Sequence, residues 1–238
     1  MKASDEKYLI KIMQTPAEKY LIKKVSQILK VNANLEKSII LDIGANKSVI
    51  IENSILKIVG NKFICDRLDV ANCRVKHPNA GKCFIASVES MPEIKSNQYD
   101  LAFANYVLEH VASLDKAVTE IHRILKPSGY FITSLPNTSA PEFILSKYTS
   151  AKFHQFIKGK GEGSHAQETQ YAYKNIKEFV SIFEKYFSTV EVKYWSNTLG
   201  YLYKFPVVNI FSKIYDKIIN YFNIKMLLSN VCIVFKKR

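Results

Sequence analysis

What most limits the fold of this chain is an alternation between short apolar runs and stretches with helical spacing. "SIILDIG", residues 38–44, is rich in isoleucine and closes on Gly44, the pattern of a parallel strand covered on both faces. Residues 48–58 follow with helical spacing and end at Gly60–Asn61. "KFICD" reads as a second strand with Asp66 at its C-terminal end, "KCFIASV" as a third and "YDLAFAN" as a fourth. "LDKAVTEIHRILK" puts Leu114, Ala117, Val118, Ile121 and Leu125 on one helical face, Pro127-Ser128-Gly129 stops that helix, and "YFITSLP" is a fifth strand. Strands alternating with helices predict a doubly wound, mostly parallel sheet, which binds ligands at the carboxyl ends of its strands. Gly44, Asp66, Ser87 and Asn105 are all expected there.

The flanks read differently. Residues 4–32 are helical, with Tyr20, Leu21, Val25, Ile28 and Leu29 in one stripe and a break at Gln14–Thr15 ahead of Pro16. Beyond residue 137 come a Gly/Lys loop, "KGKGEGSH", a helix over 174–187, the strand "TVEVKYW", an aromatic-rich insertion and a last strand, "NVCIVFKK".

Composition narrows the function classes. A chain of 238 residues, 47% hydrophobic and 23% charged, has the make-up of a folded domain. Cys65, Cys73, Cys83 and Cys232 form no CxxC pair and read as reduced core thiols, and no zinc-ligand spacing is present, so no metal is expected. "MKASDEKYLIKIMQ" lacks the apolar centre of a signal peptide, and no run approaches the roughly 18–20 apolar residues of a membrane span. The expected location is the cytoplasm, with the inner face of the membrane as a peripheral alternative. The net charge of +13 is carried mainly by lysine, a hydrated point charge suited to diffuse attraction towards anionic surfaces.

Five segments in order, "ILDIGANKS", "FICD", "ASVESMP", "YDLAFANYVLEHV" and "EIHRILKPSGYFITSLPN", resemble the class I S-adenosylmethionine-dependent methyltransferases, most closely the subgroup that modifies small molecules, quinones and glycans. The resemblance is good over 36–137 and weak over 165–195. It implies a seven-stranded Rossmann-like sheet with helices on both faces, N-terminal helices over 1–35, a cofactor-binding core over 36–137 and an acceptor side over 138–238 with a helical insertion at 200–228. It also implies S-adenosyl-L-methionine as cofactor. Asp42 would orient the methionine moiety, and Gly44 would let the backbone pass close to the ligand. Asp66, 24 residues after Asp42, would bind both ribose hydroxyls. Arg67 would flank the adenine, Ser87 and the Val88 backbone would read its edge, and Asn105 would lie beneath the methionine end. Three positions depart from the family pattern: Asn46 and Ser48 replace glycines, and Ser87 replaces an aspartate. Asn tolerates the left-handed backbone region, and Ser48 can cap the helix that follows.

For the acceptor, a sugar or glycan precursor, a lipid or a quinone fits the subgroup. A hydroxyl acceptor calls for a general base, and His110 and His165 are the candidates, with His154 behind them; an amine needs none. The aromatic and lysine residues of 201–225 suit an anionic membrane surface, an active-site cover or a homodimer contact. No specific nucleic acid is expected, because the fourth strand ends in "ANYV" rather than in a base-presenting tetrapeptide. RNA methylation stays as the alternative activity, and a non-catalytic scaffold with a degenerate cofactor loop as the alternative of another class.

Overall fold

A computed structural model of the chain describes residues 15–31, 37–141, 170, 172–196 and 206–238. Seven strands form one sheet in the order β3-β2-β1-β4-β5-β7-β6. They are β1 (Ser38–Ile43), β2 (Phe63–Asp69), β3 (Ala80–Ile85), β4 (Tyr99–Asn105), β5 (Leu125–Pro136), β6 (Phe187–Trp195) and β7 (Asn230–Lys237). The first five pair in parallel, while β7 runs antiparallel to both β5 and β6. The strand order reverses between β1 and β4, which opens a crevice at their carboxyl ends.

Helices cover both faces. On one, α1 (Pro16–Val31) and α2 (Ile50–Val59) bury Leu21, Val25, Leu29 and Ile55 against Ile40, Phe63, Phe103 and Val234. On the other, α3 (Leu114–Ile124) and α4 (Ile176–Phe183) bury Val118, Ile121, Phe179 and Phe183 against Leu41, Phe131 and Phe235. The Phe183 ring stacks 4.3 Å from Phe235 and 5.5 Å from Phe131. Capping follows the sequence: the Ser113 side chain accepts from the Lys116 amide at the start of α3, and Asn175 accepts from Glu178 at the start of α4. α5 (Pro206–Phe222) lies in the aromatic-rich insertion, ahead of β7.

Two of the boundaries that differ from the sequence reading bear on the site. β5 begins at Leu125, directly after α3, and the Lys126–Gly129 stretch bulges out of the ladder between the Tyr99–Leu125 and Leu101–Tyr130 pairs. Ser128, at φ +61, makes that bulge turn. The stop signal therefore ends the helix but does not delay the strand. β2 continues to Asp69, three residues past the expected end at Asp66. Charged residues inside a buried strand usually argue against it; here each is paired, Asp66 within the sheet and Arg67 and Asp69 with the neighbouring turns and α2.

Candidate functional site

The turn after β1 is built around Gly44, at φ +75. The Gly44 and Ala45 amides both donate to the Leu68 carbonyl, at 2.8 and 3.2 Å, which ties the turn to the end of β2. A Cβ on Gly44 would run into Val107 Cγ2, so glycine is required by the backbone conformation and by the neighbour alike. Asn46 stands in the left-handed region at φ +42, as its place in the motif demands. Its amide donates to Asp69 Oδ2 at 2.9 Å, and its Oδ1 accepts from the Ser48 amide at 2.5 Å. Ser48 is not the helix cap the sequence suggested. The N-cap position is Val49 with no side-chain cap, and Ser48 Oγ accepts only a long 3.4 Å bond from Ile50.

Arg67 has a different place from the one expected. It is buried beneath the turn, where backbone carbonyls take up its guanidinium. Its Nη2 donates to the carbonyls of Ala45 (2.8 Å), Ser48 (2.7 Å) and Asn46 (3.4 Å), its Nε donates to Cys73 O at 3.1 Å, and its Nη1 pairs with the buried Glu52 of α2. A planar guanidinium with five donors suits such a cluster of carbonyls.

Asp66 does not end its strand as the sequence suggested. It is buried mid-strand, its Oδ1 accepts from the Lys82 amide at 2.7 Å, and its Oδ2 accepts from the Tyr99 hydroxyl at 2.9 Å. β3 passes so close that a Cβ at Gly81 would run into Asp66 Oδ1. The carboxylate at the true end of β2 is Asp69. It is half-buried, accepts from the Asn46 and Ala71 amides, and its backbone carbonyl accepts from Ala86.

Beside the turn lies a cavity of about 130 Å³, lined among others by Glu18, Asp42, Gly44, Asn46, Ser48 and Asn105. Glu18 comes from the first turn of α1 and accepts from Asn105 Nδ2 at 3.3 Å, while Asn105 Oδ1 is bonded to Ser134 Oγ. Tyr106, at φ +55, hydrogen-bonds through its hydroxyl to Thr15 Oγ1 and to Asn230 Oδ1. Asp42 is buried, and burial pushes its carboxyl up to about 7; nearby Arg67 opposes this and Asp69 adds to it. Glu18, Asp69 and Tyr106 escaped the sequence reading. Only the second acid of "FICDRLD" gave a signal, and the two helix-borne or loop-borne groups gave none.

The adenine-loop candidates lie just past β3. Ser87 Oγ accepts from the Glu89 amide at 3.2 Å, Val88 buries its side chain in the core, and Glu89 reaches the Ser113 amide at 2.5 Å. His110 is half-buried in the short helix Leu108–His110 after β4. Its neighbour Glu109 is buried with Oε2 lacking a hydrogen-bond partner among the described residues, and burial pushes that carboxyl up to about 8. His165 and His154 lie outside the described residues. A larger surface hollow of about 530 Å³ beside α3 is lined by groups already paired with each other, Arg123 with Glu120 and Lys185 with Asp115. No cluster of metal-ligating side chains occurs among the described residues.

The raised carboxyls fix a pH dependence. The ordinary value for Asp42 is 3.8 and the folded one about 7, so the folded chain holds a proton that the unfolded chain has released. Stability from this group is present at low pH and is lost as pH rises from about 4 to about 7. Chemical denaturation between pH 4 and 8 is expected to show that decline, with a shallower slope in Asp42→Asn.

Residues 41–133 match the family model described as a methyltransferase domain. Over 97 residues the chain is 29% identical to the mitochondrial arginine-hydroxylase NDUFAF5 of Danio rerio, covering 40% of this chain and 30% of that protein. Over 51 residues it is 41% identical to the sterol 4-C-methyltransferase strm-1 of Caenorhabditis elegans, covering 21% of this chain and 15% of that protein. The matches thus span less than a third of the length of these relatives. The Burkholderia thailandensis 1,6-didemethyltoxoflavin-N1-methyltransferase, solved with bound 1,6-didemethyltoxoflavin and S-adenosylhomocysteine, superposes with a TM-score of 0.51 at 15% identity, over 91% of this chain and 78% of that one. The chain carries the class I methyltransferase fold, and within it residues 41–133 match the methyltransferase-domain model.

Proposed function

We propose that the protein is an S-adenosylmethionine-dependent methyltransferase acting on a small-molecule acceptor. The observation that carries this reading is the set of carboxylates around one glycine turn: Asp42 and Glu18 lining the cavity, and Asp69 on the Asn46 amide at the strand lip. The methyltransferase-domain match over the same segment supports it. When bound, S-adenosylmethionine supplies a methyl group on a positively charged sulfur. Asp42 and Glu18 would hold its ammonium, a cation that suits two acids in a cavity too small for a whole nucleoside. Asp69 would accept from the ribose hydroxyls, the role the resemblance gave to Asp66. Its oxygens each already accept one backbone amide but keep a further acceptor site. Asn46, Ser87 and the Val88 backbone would border the adenosine, and Asn105 the methionine end.

The acceptor chemistry is methyl transfer to a hydroxyl or an amine, with a sugar, lipid or quinone as the class. Positioning and exclusion of water are the chain's contribution. With a hydroxyl acceptor, His110 takes the proton; an amine dispenses with it.

The exposed face of α5 supports a finer partner, the surface of an anionic membrane. Ile214, Ile218, Tyr221 and Phe222 follow one another at helical spacing, Tyr221 is 83% exposed and Phe222 66%, and Lys213, Lys217 and Lys225 flank them. An amphipathic helix with aromatic and aliphatic residues beside lysines binds the headgroup boundary. No helix among the described residues is long and apolar enough to cross a membrane.

Calorimetry with S-adenosylhomocysteine is expected to show Asp69→Ala weakened more than tenfold while Asp66→Ala, if it folds, binds within a few-fold of the parent; the reverse ranking would return the ribose role to Asp66, and no heat from the parent protein would favour the scaffold alternative. Once a hydroxyl acceptor is in hand, His110→Ala should turn over at least about a hundredfold more slowly with cofactor affinity unchanged. In sedimentation with phosphatidylglycerol vesicles the parent should pellet in a salt-sensitive way and the Tyr221→Glu/Phe222→Glu variant should not. Equal pelleting would remove the membrane partner.

A further inference from the structure

Beside the clasp of Arg67, two cysteines remote in sequence meet. Cys83 on β3 pairs in register with Arg67 on β2, and Cys73 sits in the segment that leaves β2. Their sulfurs lie 2.6 Å apart with both thiols free. A disulfide bond is about 2.05 Å long, so closing this one needs a shift of roughly half an ångström. The two thiols are unequal: Cys83 is half-exposed and Cys73 is buried, with a weak bond to Phe84 O at 3.7 Å. Cys65 and Cys232 are buried. The Nε of Arg67 holds the Cys73 carbonyl, so the pair sits directly beside the clasp; the guanidinium charge draws the Cys73 thiol down, but burial outweighs it.

We propose that Cys73 and Cys83 form an oxidisable dithiol site whose reaction partner is a low-molecular-weight disulfide. The Cys83 thiolate attacks one sulfur of the small disulfide, the S–S bond breaks, and one small thiolate leaves and takes up the proton that Cys83 gave up. The Cys73 thiolate then attacks the Cys83 sulfur of the mixed disulfide and expels the second small thiolate, which is protonated in turn. The protein loses two hydrogens, and the small disulfide is reduced to two thiols. Burial, with Cys83 alongside, pushes the Cys73 thiol up to about 12, so the second step is the slow one and the mixed disulfide accumulates first. The resulting link ties the segment after β2 to β3. Because the Cys73 carbonyl also holds Arg67, the link bears on the turn that Arg67 supports. That last consequence rests on the cofactor reading, whereas the thiol chemistry does not.

The test treats the full chain with oxidised glutathione in the absence of cofactor and follows intact mass and peptide maps. The expected course is a transient glutathione adduct on Cys83, then a species two hydrogens lighter whose link joins Cys73 to Cys83 and which dithiothreitol reverses. Thermal unfolding of that species should shift up by about 5 °C. Cys73→Ser should stop at the stable adduct, and Cys83→Ser should give neither adduct nor link. A parent protein that keeps four alkylatable thiols, or that links any other pair, overturns the proposal without touching the cofactor assignment, which the S-adenosylhomocysteine titration reads separately.

Discussion

The buried guanidinium of Arg67 is the interaction on which the rest of the site depends. A methyltransferase turn with several glycines adopts its left-handed geometry at little steric cost. Here only Gly44 is kept, and Asn46 carries the positive φ with a side chain attached, a conformation that costs on the order of 1 kcal/mol or more. Arg67 offsets that cost from below by binding three turn carbonyls at once, and Glu52 neutralises it from α2. Neither partner is dispensable. Loss of Glu52 would leave a charge buried in the sheet, and loss of Arg67 would leave both a carboxylate and the carbonyls unmet. The altered glycine motif is thus compensated by a residue that a sequence motif would assign to ligand contact.

Charge is distributed against the average. The chain carries a net +13, yet the cavity at the lip of β1 and β4 is lined by acids. Asp42 is held in a dry position where burial, more than any neighbour, sets its proton affinity. A cation entering that cavity would do what folding alone does not, and stabilise the ionised carboxylate. The fold thus sets an acid-lined recess in a protein whose overall charge is positive.

The broad architecture was legible because it rests on local, repeated signals. Apolar strands ending in Gly44 and Asn105, and the stripe of Leu114, Val118 and Ile121, were each visible within a dozen residues. The failures were all of pairing at a distance. "FICDRLD" looked like a strand ended by its first acid. Only the Tyr99 hydroxyl and the Lys82 amide, both far along the chain, explain how Asp66 can be buried, and only Glu52 explains Arg67. The carboxylate that reaches the lip is consequently Asp69. Glu18 had no signature at all, since its position follows from where α1 packs across the sheet. Cys73 and Cys83 carry no local motif, and their meeting is a matter of strand register.

The hydroxyl of Tyr106 bonds both to Thr15, which opens the first described helix, and to Asn230, which opens the last strand. The two ends of the described chain are therefore moored to a single post at the tip of β4. Fraying at one extremity is felt at the other, and trimming either would unsettle the corner where Glu18 and Asn105 meet. Far-apart stretches of polypeptide share one anchorage, so the seating of α1 and the pairing of the last strand bear jointly on the shape of the recess.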